Sequence, residues 1–402
     1  MQKNLLQGFK VLDFTHVLAG PTATRLMAEM GAEVIKVEFP PVGDISRLLP
    51  VQKNGRSAYY VQQNRGKRSL CVNLKTPQGK ALVHDLIKEV DVVVENFSPG
   101  VAARLGIGWD AVHALNPRVV MCSISAFGQT GPLSALPGFD YIAQAYAGVT
   151  GMIGEPEGAP MLPMLGLGDV NTGVHAACAI GFALLHRERG GQGQYLDISL
   201  LDAYAHCHEM NVAMYSLTGN SPTRAGNHHY AVCPLGLFKG KQRYLCIITL
   251  ENQWPALCEA MGQPGLAKDP RYNSNANRCA HADEVIALIQ AWVDSIPSDD
   301  EVLSILENAH VPCAPVLSIR ELVEHPHMQL RGTMRAVDDE KLGTFTMPGM
   351  PLRFSEFPHN VSLQASHLGA DNAAVLGELL GYDATRVAAL QAEGILFSNP
   401  ET

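Results

Sequence analysis

The first forty residues most restrict what this chain can become. Lys10 to Thr15 (KVLDFT) reads as a buried strand, and Glu33 to Glu38 (EVIKVE) as a second. Between them Pro21 to Met30 reads as a helix, with proline in its first turn and Gly31 just past its end. Strand, helix, strand within one short span is a βαβ unit, which calls for a parallel sheet covered by helices. The alternation continues with a helix over Pro77 to Glu89, a strand over Asp91 to Glu95, a helix over Trp109 to Leu115 and a strand over Val119 to Ser125. A longer apolar helix is expected from Asp169 to about Arg189.

From Asp202 to Thr223 the pattern is helical and then loosens, as in a connector. Leu235 to Phe238 and Tyr244 to Thr249, joined by KGKQR, read as a hairpin. Helices are expected at Gln253 to Met261 and Ala282 to Ser295, which makes this stretch a second, smaller α+β domain. After Val316 come one helix, a loop-rich stretch and two terminal helices at Asn372 to Leu380 and Ala384 to Glu393. A length of 402 residues suits two or three domains.

Composition removes several classes of function. Apolar residues make up 47% and charged residues 17%, which excludes a disordered chain. A formal charge of −9 argues against a nucleic-acid partner. Nine cysteines without a CxxC pair read as reduced thiols of a cytoplasmic protein. MQKNLLQGFKVLDF does not resemble a signal peptide. The longest apolar stretch, Val174 to Leu185, falls short of the ~20 residues of a membrane span, so no membrane partner is expected.

Five segments carry chemistry. The first βα turn, THVLAGPTA, lacks the glycines of a dinucleotide loop, although Glu38 sits where a ribose-binding acid would sit. Its free helix-start N–H groups still offer a ligand site. QNRGKRSLCVNLK holds Arg65, Lys67, Arg68 and Lys75 and reads either as a solvated basic loop or as a phosphate site. In ENFSPGVAARLG, Phe97 can stack on a flat ring or join the core, and Arg104 can pair with phosphate. GLGDVNTG sets Asp169 between glycines at a helix start. There it is either an N-cap or a carboxylate nucleophile kept ionised by the helix. His206, Cys207 and His208 have poor spacing for a metal on a helix, and no G-x-S-x-G supports a serine hydrolase.

Together with NPRVVMCSISAFGQTGP, VPCAPVLSIRELVEHP and LGADNAAVLGELLGY, these segments resemble the class III CoA-transferases, the family of formyl-CoA transferase and carnitine CoA-transferase. The resemblance covers nearly the whole chain. It implies a Rossmann-like large domain built from both chain ends (residues 1–205 and 325–402), linkers at 206–224 and 321–324, and the small domain at 225–320. It also implies that two chains interlock as a homodimer. Asp169 would be the nucleophile. His16, Val17 and Ala19 would border the CoA thioester; Lys75, Asn96, Phe97 and Arg104 would hold the nucleotide end; Phe139, Asp140 and Tyr141 would lie near the reacting carbonyl. CoA is then a substrate, and no cofactor or metal is required.

Two departures narrow the substrate. Leu18 stands where formyl-CoA transferase has Gln, and the glycine-rich flap of that enzyme is not evident around Leu235 to Arg243. Both point away from oxalate, while dicarboxylic acids such as succinate remain open. Gly138–Phe139–Asp140 replaces the G-H-D of the related 2-methylacyl-CoA racemases, which removes their base. The competing readings are an isomerase on the same fold, an NAD-linked oxidoreductase, and a CoA-binding regulator without chemistry.

Overall fold

The computed structural model describes residues 4–357 and 361–399. The chain divides into two compact units. The first comprises Met1–Gly148, Pro163–His208 and Pro326–Thr402; the second comprises Val149–Leu162 and Glu209–His325.

The first unit is built on strands β1 (Lys10–Asp13), β2 (Glu33–Glu38), β3 (Arg68–Cys71), β4 (Val92–Glu95), β5 (Val120–Ser125) and β6 (Gln194–Ser199). They form one sheet in the order β3-β2-β1-β4-β5-β6, and every neighbouring pair is parallel. Strands β2, β4 and β5 are almost wholly buried, as expected for strands covered on both faces. One face is covered by α1 (Ala19–Glu29) and the long α7 (Leu167–Glu188) through Ala23, Met27, Ala176, Ile180 and Leu184. The other is covered by α3 (Pro77–Lys88), α5 (Trp109–Leu115) and the terminal helices Asn372–Leu380 and Ala384–Ala392. Short helices α2 (Ala58–Asn64), α4 (Val101–Leu105), α6 (Asp140–Tyr146) and α8 (Leu200–Ala205) fill the loops.

Strand order reverses between β1 and β4. In open parallel sheets, ligands settle at such a switch point, beyond the carboxyl ends of the strands. The turn after β1 and the loop after β4 therefore frame the expected binding crevice.

The second unit packs an antiparallel sheet of Leu235–Lys239, Tyr244–Ile248 and Cys313–Pro315 against helices around Trp254, Leu257, Ile289 and Leu306. Residues 149–162, which the sequence reading placed with the large domain, cluster here. Arg224 holds them by bonding the carbonyls of Glu155 and Gly158, and Gly226 N donates to Gly154 O. The loop-rich stretch expected near the C-terminus contains a hairpin, Met334–Asp339 with Gly343–Pro348. No helix among the described residues is long and apolar enough to cross a membrane.

Candidate active site

The β1–α1 turn is the most constrained backbone of the crevice. Val17 has φ of 67°, a left-handed conformation that is costly for a β-branched residue and persists only where the surroundings enforce it. Asn96 supplies one restraint from the loop after β4. Its side chain accepts from His16 N at 2.7 Å and donates to His16 O at 2.9 Å. Asp44 supplies the other, accepting from Val17 N at 3.3 Å. Asp44 is itself fixed by the buried Lys36 Nζ at 2.8 Å, and Lys36 also donates to Thr15 O at 2.7 Å. Burial opposes ionisation of Asp44, but Lys36 and then His16 outweigh it and hold its pKa well below the usual range.

This turn opens onto a cavity of about 230 Å³ lined by His16, Val17, Leu18, Ala19, Asn96, Phe97, Phe139 and Asp169, among others. Ala19 begins α1, and no side chain caps that helix start, so its first N–H groups are without intrahelical partners beside the cavity. Ser125 Oγ, at the end of β5, also lines the cavity and has no hydrogen-bond partner among the described residues.

Asp169 is the third residue of α7 and not its N-cap, a position taken by Gly166. The capping comes from elsewhere. Asp140 Oδ2 accepts from Asp169 N at 3.1 Å, and Tyr204 Oη accepts from Gly168 N at 2.9 Å. Tyr204 in turn donates to Asp140 Oδ1. A Cβ on residue 168 would collide with the Tyr204 ring, so only glycine fits. The helix start is opposed by the surroundings of Asp169. Burial, and then the charge of Asp140, push its pKa up to about 7. Tyr59 on α2 faces the same charge; burial, then Asp169 and Asp44, push its phenol up to about 12, so it remains an O–H donor.

An aromatic tract leads away from the cavity. His16 lies 5.7 Å from Phe97, and Phe97 stacks on Phe39 at 6.1 Å. Phe39 lines a neighbouring cleft with Asn73, Leu74, Lys75 and Leu105. Lys75 and Arg104 are exposed, and neither forms an ion pair among the described residues. The rest of the basic segment is structural. Arg65 is buried on Glu29 at 2.7 Å, Lys67 is buried on Asp13 at 2.8 Å, and Arg68 pairs with Glu33 at 2.6 Å. Glu38, the would-be ribose acid, is buried on Arg47 at 2.7 Å and accepts from Ser69 Oγ at 2.6 Å. Glu38 is thus engaged by protein partners, which removes its support for nucleotide binding of the NAD type.

The crevice thus gathers His16, Val17, Ala19, Asn96, Phe97 and Asp169. Lys75 lies in the adjoining cleft, and Asp140 stands behind Asp169 with both oxygens engaged. Tyr204, Tyr59, Asp44 and Phe39 were not legible in the sequence. Tyr204 lies 64 residues from Asp140, and no local pattern links the two.

The family model for CoA-transferase family III matches residues 6–372. The succinate–glutarate CoA-transferase of Agrobacterium fabrum is 37% identical over 94% of this chain and 96% of its own length. A formyl-CoA:oxalate CoA-transferase of Bradyrhizobium is 32% identical over 97% of each. The crystal structure of a CAIB/BAIF family protein from Brucella suis superposes with a TM-score of 0.82 at 31% identity, covering 94% of this chain and 100% of the other. The glycine-flanked Asp169 and the crevice at the switch point stand within that family's full span, and the chain belongs to CoA-transferase family III.

Proposed function

We propose that the chain moves CoA between short dicarboxylic acids, with succinyl-CoA as donor and glutarate as acceptor, through covalent intermediates on Asp169. The observation that carries this reading is that Asp169 supplies the only carboxylate lining the cavity among the described residues. The relative named for succinate and glutarate and the apolar Leu18 at the cavity wall favour these acids over oxalate.

Asp169 Oδ attacks the thioester carbonyl, the C–S bond breaks, and CoA leaves as thiolate. The thiolate attacks the aspartyl carbonyl of the resulting anhydride, releasing the donor acid and leaving an aspartyl-CoA thioester. The acceptor carboxylate then attacks that thioester, and the steps run in reverse. Splitting the exchange this way replaces one difficult step with several easier ones. Each tetrahedral oxyanion needs fixed donors. At the start of α7 the N–H groups of Gly168 and Asp169 are taken by Tyr204 and Asp140, so those near Ala19 serve, in the turn that Asn96 and Asp44 hold.

On this reading the large unit is a Rossmann-like CoA platform. Pantetheine runs along Phe97 and Phe39, and the phosphates meet Lys75 and Arg104. The mechanism needs no metal or cofactor. The experiment is direct: mix the enzyme with succinyl-CoA and glutarate and follow glutaryl-CoA by mass spectrometry. Glutaryl-CoA should form, and Asp169→Ala should lower its rate by at least about a thousandfold. Normal transfer by that variant would end the reading.

A further inference from the structure

We infer that Asp140, held by Tyr204, is a positioning residue that sets the first turn of α7 and keeps a second negative charge beside Asp169, so that acylation of Asp169 is driven by relief of repulsion. The inference rests on Asp169 being the nucleophile.

The geometry leaves Asp140 little freedom. It is 8% exposed and stands at the start of α6. One oxygen accepts from Asp169 N at 3.1 Å and the other from Tyr204 Oη. Tyr204 is fixed in turn by Gly168 N at 2.9 Å and Gln144 Nε2 at 3.1 Å. Burial, and then its bond to Asp140, raise the Tyr204 pKa, so it stays a donor. Asp140 therefore caps α7 from outside the helix, where Gly166 has no side chain to do so. A neutral amide could accept only one of these two bonds, because its nitrogen is a donor, so the double acceptor is itself a reason for a carboxylate.

A carboxylate also adds charge. The groups that face Asp169 are Asp140 from α6, Tyr59 from α2 and, across the cavity, His16 from the β1–α1 turn. Asp140 is the acidic one. After the larger effect of burial, the Asp140 charge raises the free energy of the ionised nucleophile. Attack on the thioester transfers that charge to the departing sulfur and leaves Asp169 neutral in the anhydride. It is still neutral in the aspartyl-CoA thioester. Both covalent states escape the repulsion that the free enzyme suffers, so the resting state is raised relative to both intermediates.

The test is Asp140→Asn, read by two signals that a simple packing role would not move. The acid limb of kcat/KM reports the free nucleophile. In the wild type it should centre near pH 7. With the like charge removed it should fall by about one pH unit, and hydroxylamine should trap about tenfold less hydroxamate at Asp169. Asp140→Glu, which keeps the charge, should slow turnover and leave the limb in place. An unchanged limb with unchanged trapping in Asp140→Asn would refute the inference while leaving the nucleophile intact. If hydroxamate never forms at Asp169 in the wild type, the nucleophile itself is wrong. Should Asp140→Asn fail to fold, Asp140→Ser removes the same charge and is read in the same way.

Discussion

At Asp169, burial and a neighbouring carboxylate both oppose ionisation, and the fold keeps the residue there nonetheless. A carboxyl whose pKa is raised on folding, here from 3.8 to about 7, favours the native state only while protonated. That contribution is complete below the unfolded value and disappears as pH rises through the folded one. At pH 8 the native protein therefore carries an unfavourable charge. Asp169→Asn, which is permanently neutral, should abolish transfer and yet be more stable than wild type at pH 8, by on the order of 2 kcal/mol. Denaturant titrations should show the gap shrink toward pH 5, where wild-type Asp169 is protonated. A constant gap across that range would separate the stability effect from this carboxylate. Asn96 illustrates a different point at the same scale. Its amide binds both backbone groups of His16, so it shapes the β1–α1 turn.

Among the elements, the contact of α1 with α7 sets the distance between the β1–α1 turn and Asp169. Gly173 makes it possible, because a Cβ there would lie 2.5 Å from Ala19 O and 2.6 Å from Thr22 Cβ. Gly173→Ala should cost roughly 1–3 kcal/mol despite the better helix propensity of alanine. It should also slow transfer by pushing Ala19 away from Asp169, and thermal melting together with kcat checks both effects. The inner strands and the long helices were legible because apolar runs and the 3.6-residue period announce them. Pro77, Trp109, Ala282 and Asn372 begin helices where expected. The two outer strands were not. Gln194–Ser199 is mostly half-buried, and Arg68–Cys71 is a short strand within a basic stretch. The site was legible in its contiguous motifs, Asp169 and Phe97 above all. It was hidden wherever a partner came from far along the chain, as with Tyr204 on Asp140 or Lys67 on Asp13.

Over the whole molecule, several large apolar side chains lie exposed on the first unit, including Phe139 at 80% exposure, Met164 at 92%, Leu165, Val174 and Phe182. Their exposure agrees with the interlocked homodimer that the resemblance to the family implies, in which partners would separate only by partial unfolding. Sedimentation at nanomolar concentration should then show no folded monomer, and an active monomer there would count against threading. The two-ended first unit has another consequence. Strand β3 lies at the sheet edge, and late residues close it: Asp371 accepts from Ser69 N at 2.7 Å, Asn372 from Cys71 N at 2.9 Å, and Leu396 bridges Val72. On the ribosome, that edge and the hydrophobic face awaiting Val375 and Leu376 stay open until these late residues emerge. The second unit has all its residues available earlier. Biogenesis therefore runs against the order of the sequence, with the first unit begun first and finished last.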